Sequence, residues 1–198
     1  MASFPEIAGV VAGVLSLVGY IPYIYETIKG RTRPNQATWI IWTVVGGLLA
    51  FSYLANQGLS SSWLPLGYFV GPLLVAILTF RYGYSSWSKL DIACVIAAGI
   101  SIIPWLFLSN PDITLLINIF IDSTGAIPTI IKTYHEPESE DFTAWLIFFI
   151  ANTLQLFAVT TWNIAGLYPI YLFILAGLLV AFIVKGKIQK RKLKATDS

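Results

Sequence analysis

The sequence predicts an all-α membrane protein of seven transmembrane helices arranged as 3+1+3 parallel repeats, on three observations. Its 198 residues are 57% hydrophobic and only 11% charged, with a mean hydropathy of +0.75, whereas ordinary globular domains carry about 25% charged residues. Seven apolar segments reach the roughly 20 residues that a helix needs to cross a hydrocarbon core about 30 Å thick. All twelve lysines and arginines then fall on one side of the membrane. This composition excludes a soluble enzyme, a disulfide scaffold and a nucleic-acid binder, and the single cysteine, Cys94, can form neither an internal disulfide nor a multi-cysteine metal site.

The expected spans are residues 6–28, 37–56, 62–81, 89–108, 112–134, 142–162 and 167–185, separated by polar or turn-forming stretches such as 29–35 and 135–140. The first span lacks a basic segment before it and is long enough to cross, so it is expected to stay rather than be cleaved as a signal peptide. Lys29, Arg31 and Arg33 follow span one, Arg81 and Lys89 flank the turn between spans three and four, and Lys132 closes span five. The other six lie between Lys185 and Lys194. The positive-inside rule makes that side cytoplasmic, with the amino terminus outside and the carboxyl terminus inside. Trp63, Trp105 and Trp162 then fall at the outer rim, and Trp39, Trp87 and Trp145 at the inner one, where an interfacial aromatic belt is expected.

Sliding the chain against itself at an offset of 106 aligns Gly19-Tyr-Ile-Pro-Tyr-Ile-Tyr-Glu-Thr27 with Gly125-Ala-Ile-Pro-Thr-Ile-Ile-Lys-Thr133. The register continues through Trp39/Trp145, Ile41/Ile147, Leu48/Leu154 and Phe51/Phe157, and an offset of 105 aligns Leu73-Leu-Val-Ala76 with Leu178-Leu-Val-Ala181. The expected organisation is a first triple-helix repeat at 1–84, a linker helix at 85–110, a second triple at 111–186 and a basic cytoplasmic tail at 187–198. An odd linker span gives both triples one orientation, hence parallel repeats. Pro22 and Pro128 occupy equivalent positions. Each removes a helical hydrogen bond, so they are candidate hinges, the alternative being prolines tolerated near helix ends.

This layout, with a helix-ending proline, a short polar loop and an aromatic-rich following helix, resembles the PQ-loop superfamily that includes the SWEET sugar transporters. The nicotinamide riboside carriers of bacteria look similar in layout. The resemblance covers nearly the whole chain, but Pro22 and Pro128 are followed by Tyr23 and Thr129, so the Pro-Gln dipeptide is missing. The second helix of each triple also lacks the further proline of the SWEET set. Residues Gly30–Trp42 look like those of a little-characterised bacterial branch. The resemblance implies a transporter fold in a bacterial inner membrane and names no solute.

Polar side chains at membrane depth are costly and are the default site candidates. Asp122 lies ten residues from Asp112, or about 15 Å into the bilayer, near its midplane. There the charged form is expensive, which suits a carboxyl that loads and releases a proton or gates the pocket; the alternative is a packing hydrogen bond. Asn118 precedes it by one turn, and Asn152 and Gln155 on span six lie at similar depth. Their amides, with Trp42 as an aromatic wall, form the candidate solute-binding set. The repeat register pairs Asp122 with Ser16, Asn152 with Gly46 and Gln155 with Leu49, so the second triple carries the polar chemistry. Tyr20, Tyr68 and the Gly71-Pro72 break are weaker pocket candidates.

His135 sits alone in an acidic loop with Glu136, Glu138, Glu140 and Asp141, a pattern too sparse for a metal site or catalytic dyad. A retinal Schiff base needs a lysine deep in the last span, and residues 167–184 contain none. Asp122 is the one central carboxylate, which does not support intramembrane catalysis. The expected function is alternating-access transport of a small polar solute (sugar-, nucleoside- or amino-acid-like), proton coupling being open to Asp122, with no cofactor, no metal and no nucleic-acid partner. The basic tail is expected to meet anionic lipid headgroups, and a homo-oligomer is compatible with the fold. The alternative is a non-transporting receptor or assembly protein that docks partners on loop 135–141 and the tail.

Overall fold

The computed structural model describes residues 3–57, 63–84, 87–107, 110–160 and 162–196. Among these residues, seven α-helices account for all the regular structure apart from two short 3-10 turns. The helices are α1 Phe4–Ile28, α2 Gln36–Gln57, α3 Trp63–Tyr82, α4 Lys89–Phe107, α5 Pro111–His135, α6 Phe142–Ala158 and α7 Leu167–Thr196. Three stretches, Phe4–Ile28, Asp112–His135 and Leu167–Leu193, are long and apolar enough to cross a membrane. Large apolar side chains such as Val10, Ile21, Phe80 and Ile100 lie on the outer surface. That arrangement is costly in water and favourable in lipid, the mark of a membrane protein.

Local sequence explains the helix starts. Glu6 accepts the Ser3 N–H at 2.7 Å, and Asn35 accepts the Thr38 N–H at 3.0 Å at the head of α2. Ser88 and Asp91 cap α4 reciprocally, at 3.1 and 2.6 Å. Asn110 accepts from the Asp112 and Ile113 amides ahead of Pro111, and Asp141 accepts the Ala144 N–H at 2.7 Å. In each case a short polar side chain satisfies amide donors that the first turn leaves open. After α1 the chain reverses through Gly30, whose φ of 70° is readily adopted only by glycine.

Two boundaries differ from those expected. Helix α7 continues through the basic tail to Thr196 instead of stopping near residue 185, because lysine, arginine and glutamine are good helix formers and cations favour a helix C-terminus. Helix α6 ends at Ala158, four residues short of the expected 162. Val159 and Thr160 are β-branched, and the polar groups of Thr160 and Asn163 compete for backbone partners.

Packing orders six helices into a ring: α1 against α6, α6 against α7, α7 against α5, α5 against α2, α2 against α3, and α3 back against α1. Helix α4 packs against α5 and α2. Small residues permit the close approaches that hold helices together in lipid. A Cβ on Gly46 would come within 2.7 Å of the Tyr68 carbonyl oxygen, and one on Gly125 within 2.7 Å of the Ile41 side chain.

Candidate functional site

Inside the ring lies a cavity of about 430 Å³, within the size range of small-molecule sites. Every ring helix contributes to its wall, and none of the described lining residues belongs to α4. Asp122 of α5 is 5% exposed and faces the cavity. Its Oδ2 accepts a hydrogen bond from the Tyr168 hydroxyl of α7 at 2.8 Å, and its backbone carbonyl accepts one from the Trp42 indole at 3.2 Å. Among the described residues, no lysine, arginine or histidine lines the cavity.

Of the residues expected to contact solute, Trp42, Asn152 and Gln155 line this cavity together with Asp122. The Asn152 amide donates weakly to the Leu172 carbonyl at 3.4 Å, while Gln155 makes no hydrogen bond to the described residues. Asn118 is half-buried and is not among the lining residues. Although it shares a stripe with Asp122 by helical spacing, one turn shifts a side chain around the helix by about 40°. The weaker candidates Tyr20, Tyr68 and Pro72 do line the wall, as do Ser16 and Gly46. Helix α1 runs through Pro22 and α5 through Pro128 without a break in either. Leu49 lies within α2, and its side chain is outside the described part.

Two layers of side chains lie toward the basic end of the cavity. The first is a closed circuit of aromatic rings in edge-to-face contact: Tyr20–Trp39 at 6.2 Å, Trp39–Trp42 at 5.0 Å, Trp42–Trp145 at 6.3 Å, Trp145–Phe148 at 5.5 Å and Phe148–Tyr20 at 5.2 Å. Such contacts add to the burial of the rings themselves. Trp39 and Trp145, expected in an interfacial belt, are instead only 1% and 4% exposed. Their indole N–H groups are satisfied inside, by the Tyr23 hydroxyl at 3.3 Å and the Glu140 carboxylate at 2.8 Å. Trp87 and Trp162 are exposed as a belt requires; the side chains of Trp63 and Trp105 lie outside the described part.

The second layer is polar. Glu140, one of the acidic residues of loop 135–141, is only 5% exposed. Its Oε1 pairs with Lys132 at 2.6 Å, and its Oε2 accepts from both Tyr23 and Trp145 at 2.8 Å. Lys132 also donates to the Arg33 carbonyl. The Arg33 amide donates to the Ser139 carbonyl at 2.9 Å, and its guanidinium pairs with Glu136 at 2.9 Å. Thr129 and Thr38, both fully buried, join α5 to α2 through a 2.9 Å hydroxyl bond. The remaining acidic residues of the loop are partly spent on the tail, since Glu138 pairs with Lys190 at 2.8 Å. His135 is exposed and stacks edge-on against Tyr134 at 5.2 Å.

Sequence reasoning missed Tyr168, Tyr23 and the inward turn of Glu140. Tyr168 stands near the start of α7, in a position that reads as an interfacial tyrosine. Only the packing of α7 against α5 brings its hydroxyl to Asp122. Comparison with protein-family models, curated proteins and solved structures finds no match to this chain. The site is therefore defined by its own residues.

Proposed function

We propose that this chain is a seven-span membrane transporter of PQ-loop or SWEET-like type, moving a small polar solute by alternating access through the central cavity. The observation that carries the proposal is a solute-sized cavity walled by all six ring helices and holding a carboxyl and two amides, with buried polar contacts between the two halves of the chain toward its basic end. In this reading the basic end is cytoplasmic, the membrane is a bacterial inner membrane, and Asp122 gates the pocket or carries a proton.

The paired-triple reading draws support from equivalent contacts. Exchanging α1, α2 and α3 for α5, α6 and α7 maps the ring of packed helices onto itself. Asn35 and Asp141, 106 residues apart, cap α2 and α6 in the same way. Thr27 and Thr133 are both fully buried and each donates to the carbonyl four residues back. A Cβ on Gly19 would meet Phe148, and one on Gly125 would meet Ile41 and Trp42, of which Trp42 is the register partner of Phe148. Two such bundles rocking about a midplane pocket are a known solution to alternating access, and Pro22 and Pro128 are placed to act as hinges.

The test is flux into proteoliposomes, with and without a proton gradient, across sugars, nucleosides, amino acids and amines. Saturable flux that Asp122→Asn abolishes, with the variant still purifying as folded protein, supports transport. Absence of flux for every class favours a non-transporting receptor or assembly protein.

A further inference from the structure

The cavity's chemistry points to one charge type. It contains a buried carboxyl, and among the described residues no cationic side chain lines its wall. The one hydrogen bond to the Asp122 carboxylate from the described residues is the neutral Tyr168 hydroxyl. A bound anion would be repelled by that carboxyl whenever it is ionised and would find no positive side chain among the described lining residues to offset it, which disfavours it. A neutral polyol could bond Gln155, Ser16 and the tyrosine hydroxyls of the wall, but it would leave the Asp122 carboxylate without a counter-charge beside a largely aromatic surface. A cation would supply the missing counter-charge. It would also lie beside the aromatic side chains of the wall, and the quadrupole of an aromatic ring attracts positive charge to its face. The five-ring circuit of Tyr20, Trp39, Trp42, Trp145 and Phe148 borders the cavity, and Trp42 is bonded to the Asp122 backbone itself. Carboxylate and aromatic surface thus meet in one compartment.

We infer that the solute of this cavity is a small organic cation, a quaternary or protonated amine held by Asp122 against the aromatic circuit. The inference rests on the transport reading, since it names the solute of that pocket.

Two matched pairs test it on the detergent-purified full-length protein: choline against 3,3-dimethylbutan-1-ol, and tyramine against 4-propylphenol. Each pair keeps its shape and loses only the charge. The expected result is that at least one cation raises the melting temperature in a saturable way while its neutral partner does not. Removing one partner of a buried charge pair is costly, so Asp122→Asn should weaken that cation about 100-fold. Trp42→Leu, which keeps apolar bulk and removes the ring face, should weaken it by about fivefold and serves if Asp122→Asn does not fold. The inference is overturned if neutral partners bind as well as the cations, if Asp122→Asn binds them undiminished, or if no cation in the set shifts the protein. Stabilisation by glucose or uridine with none by the cations would overturn the cation while leaving a solute transporter standing.

Discussion

Lys132 and Glu140 form an ion pair of 2.6 Å whose side chains are 4% and 0% exposed. One belongs to the last turn of α5 and the other to the segment leading into α6, and Tyr23 of α1 bonds the same carboxylate. The pair therefore ties three ring helices together at the basic end. Breaking a buried pair by removing one partner leaves an uncompensated charge at a cost of about 3–5 kcal/mol. Lys132→Met is expected to lower the melting temperature markedly, and adding Glu140→Gln should recover a large part of that loss. Thermal unfolding of the single and double variants in detergent measures the coupling directly; additive losses would contradict it.

Tyr168→Phe isolates the hydroxyl that Asp122 depends on. It removes one hydrogen bond and leaves the ring, so the expected loss of stability is about 1 kcal/mol. The effect on solute binding should exceed that of an equally mild substitution at Tyr134, which lies outside the cavity. Binding isotherms for both variants decide it, and equal effects would remove Tyr168 from the site.

Asn118 and Asn152 separate sequence spacing from geometry. Asn152→Leu and Gln155→Leu alter the cavity wall and are expected to abolish uptake, whereas Asn118→Leu, off the cavity, should leave it near wild type. Uptake measured alongside surface expression checks this, and loss only in the Asn118 variant would reverse the assignment.

Glycine contacts give a prediction independent of any solute. A Cβ on Gly46 would collide with the Tyr68 carbonyl oxygen and the Phe69 Cα, backbone atoms that cannot move aside without parting α2 from α3. Gly46→Ala should destabilise by about 1–3 kcal/mol. At Gly99 a Cβ would meet nothing within 4 Å, so Gly99→Ala should be neutral, or stabilising by up to about 1 kcal/mol through helix propensity. Paired unfolding measurements test the contrast.

Helices were legible in the sequence because apolar length is a local property, and the caps that the structure shows at Asn35, Asn110 and Asp141 set the starts close to those expected. Asp122, Asn152 and Gln155 stood out because polar side chains inside apolar runs demand a reason. What remained hidden depends on rotation and tertiary contact. Asn118 and Asp122 share a stripe in projection but not in the packed ring. Trp39 and Trp145 have belt-like positions, and only their partners Tyr23 and Glu140 explain why their indoles turn inward. Glu140 sits in an acidic run that looks solvated, and its burial follows from Lys132, eight residues earlier on another element.

Access to the cavity from the two faces of the membrane tests the central claim most directly, because it needs no knowledge of the solute. In a Cys94→Ser background, Ser16→Cys places a thiol on the cavity wall, and a membrane-impermeant methanethiosulfonate reagent is applied to right-side-out and inside-out vesicles. Alternating access predicts modification from both faces, with Lys132→Met speeding the reaction from the basic side if that variant inserts. Modification from one face alone, or from neither, would contradict a transporter and leave a fixed receptor or assembly protein.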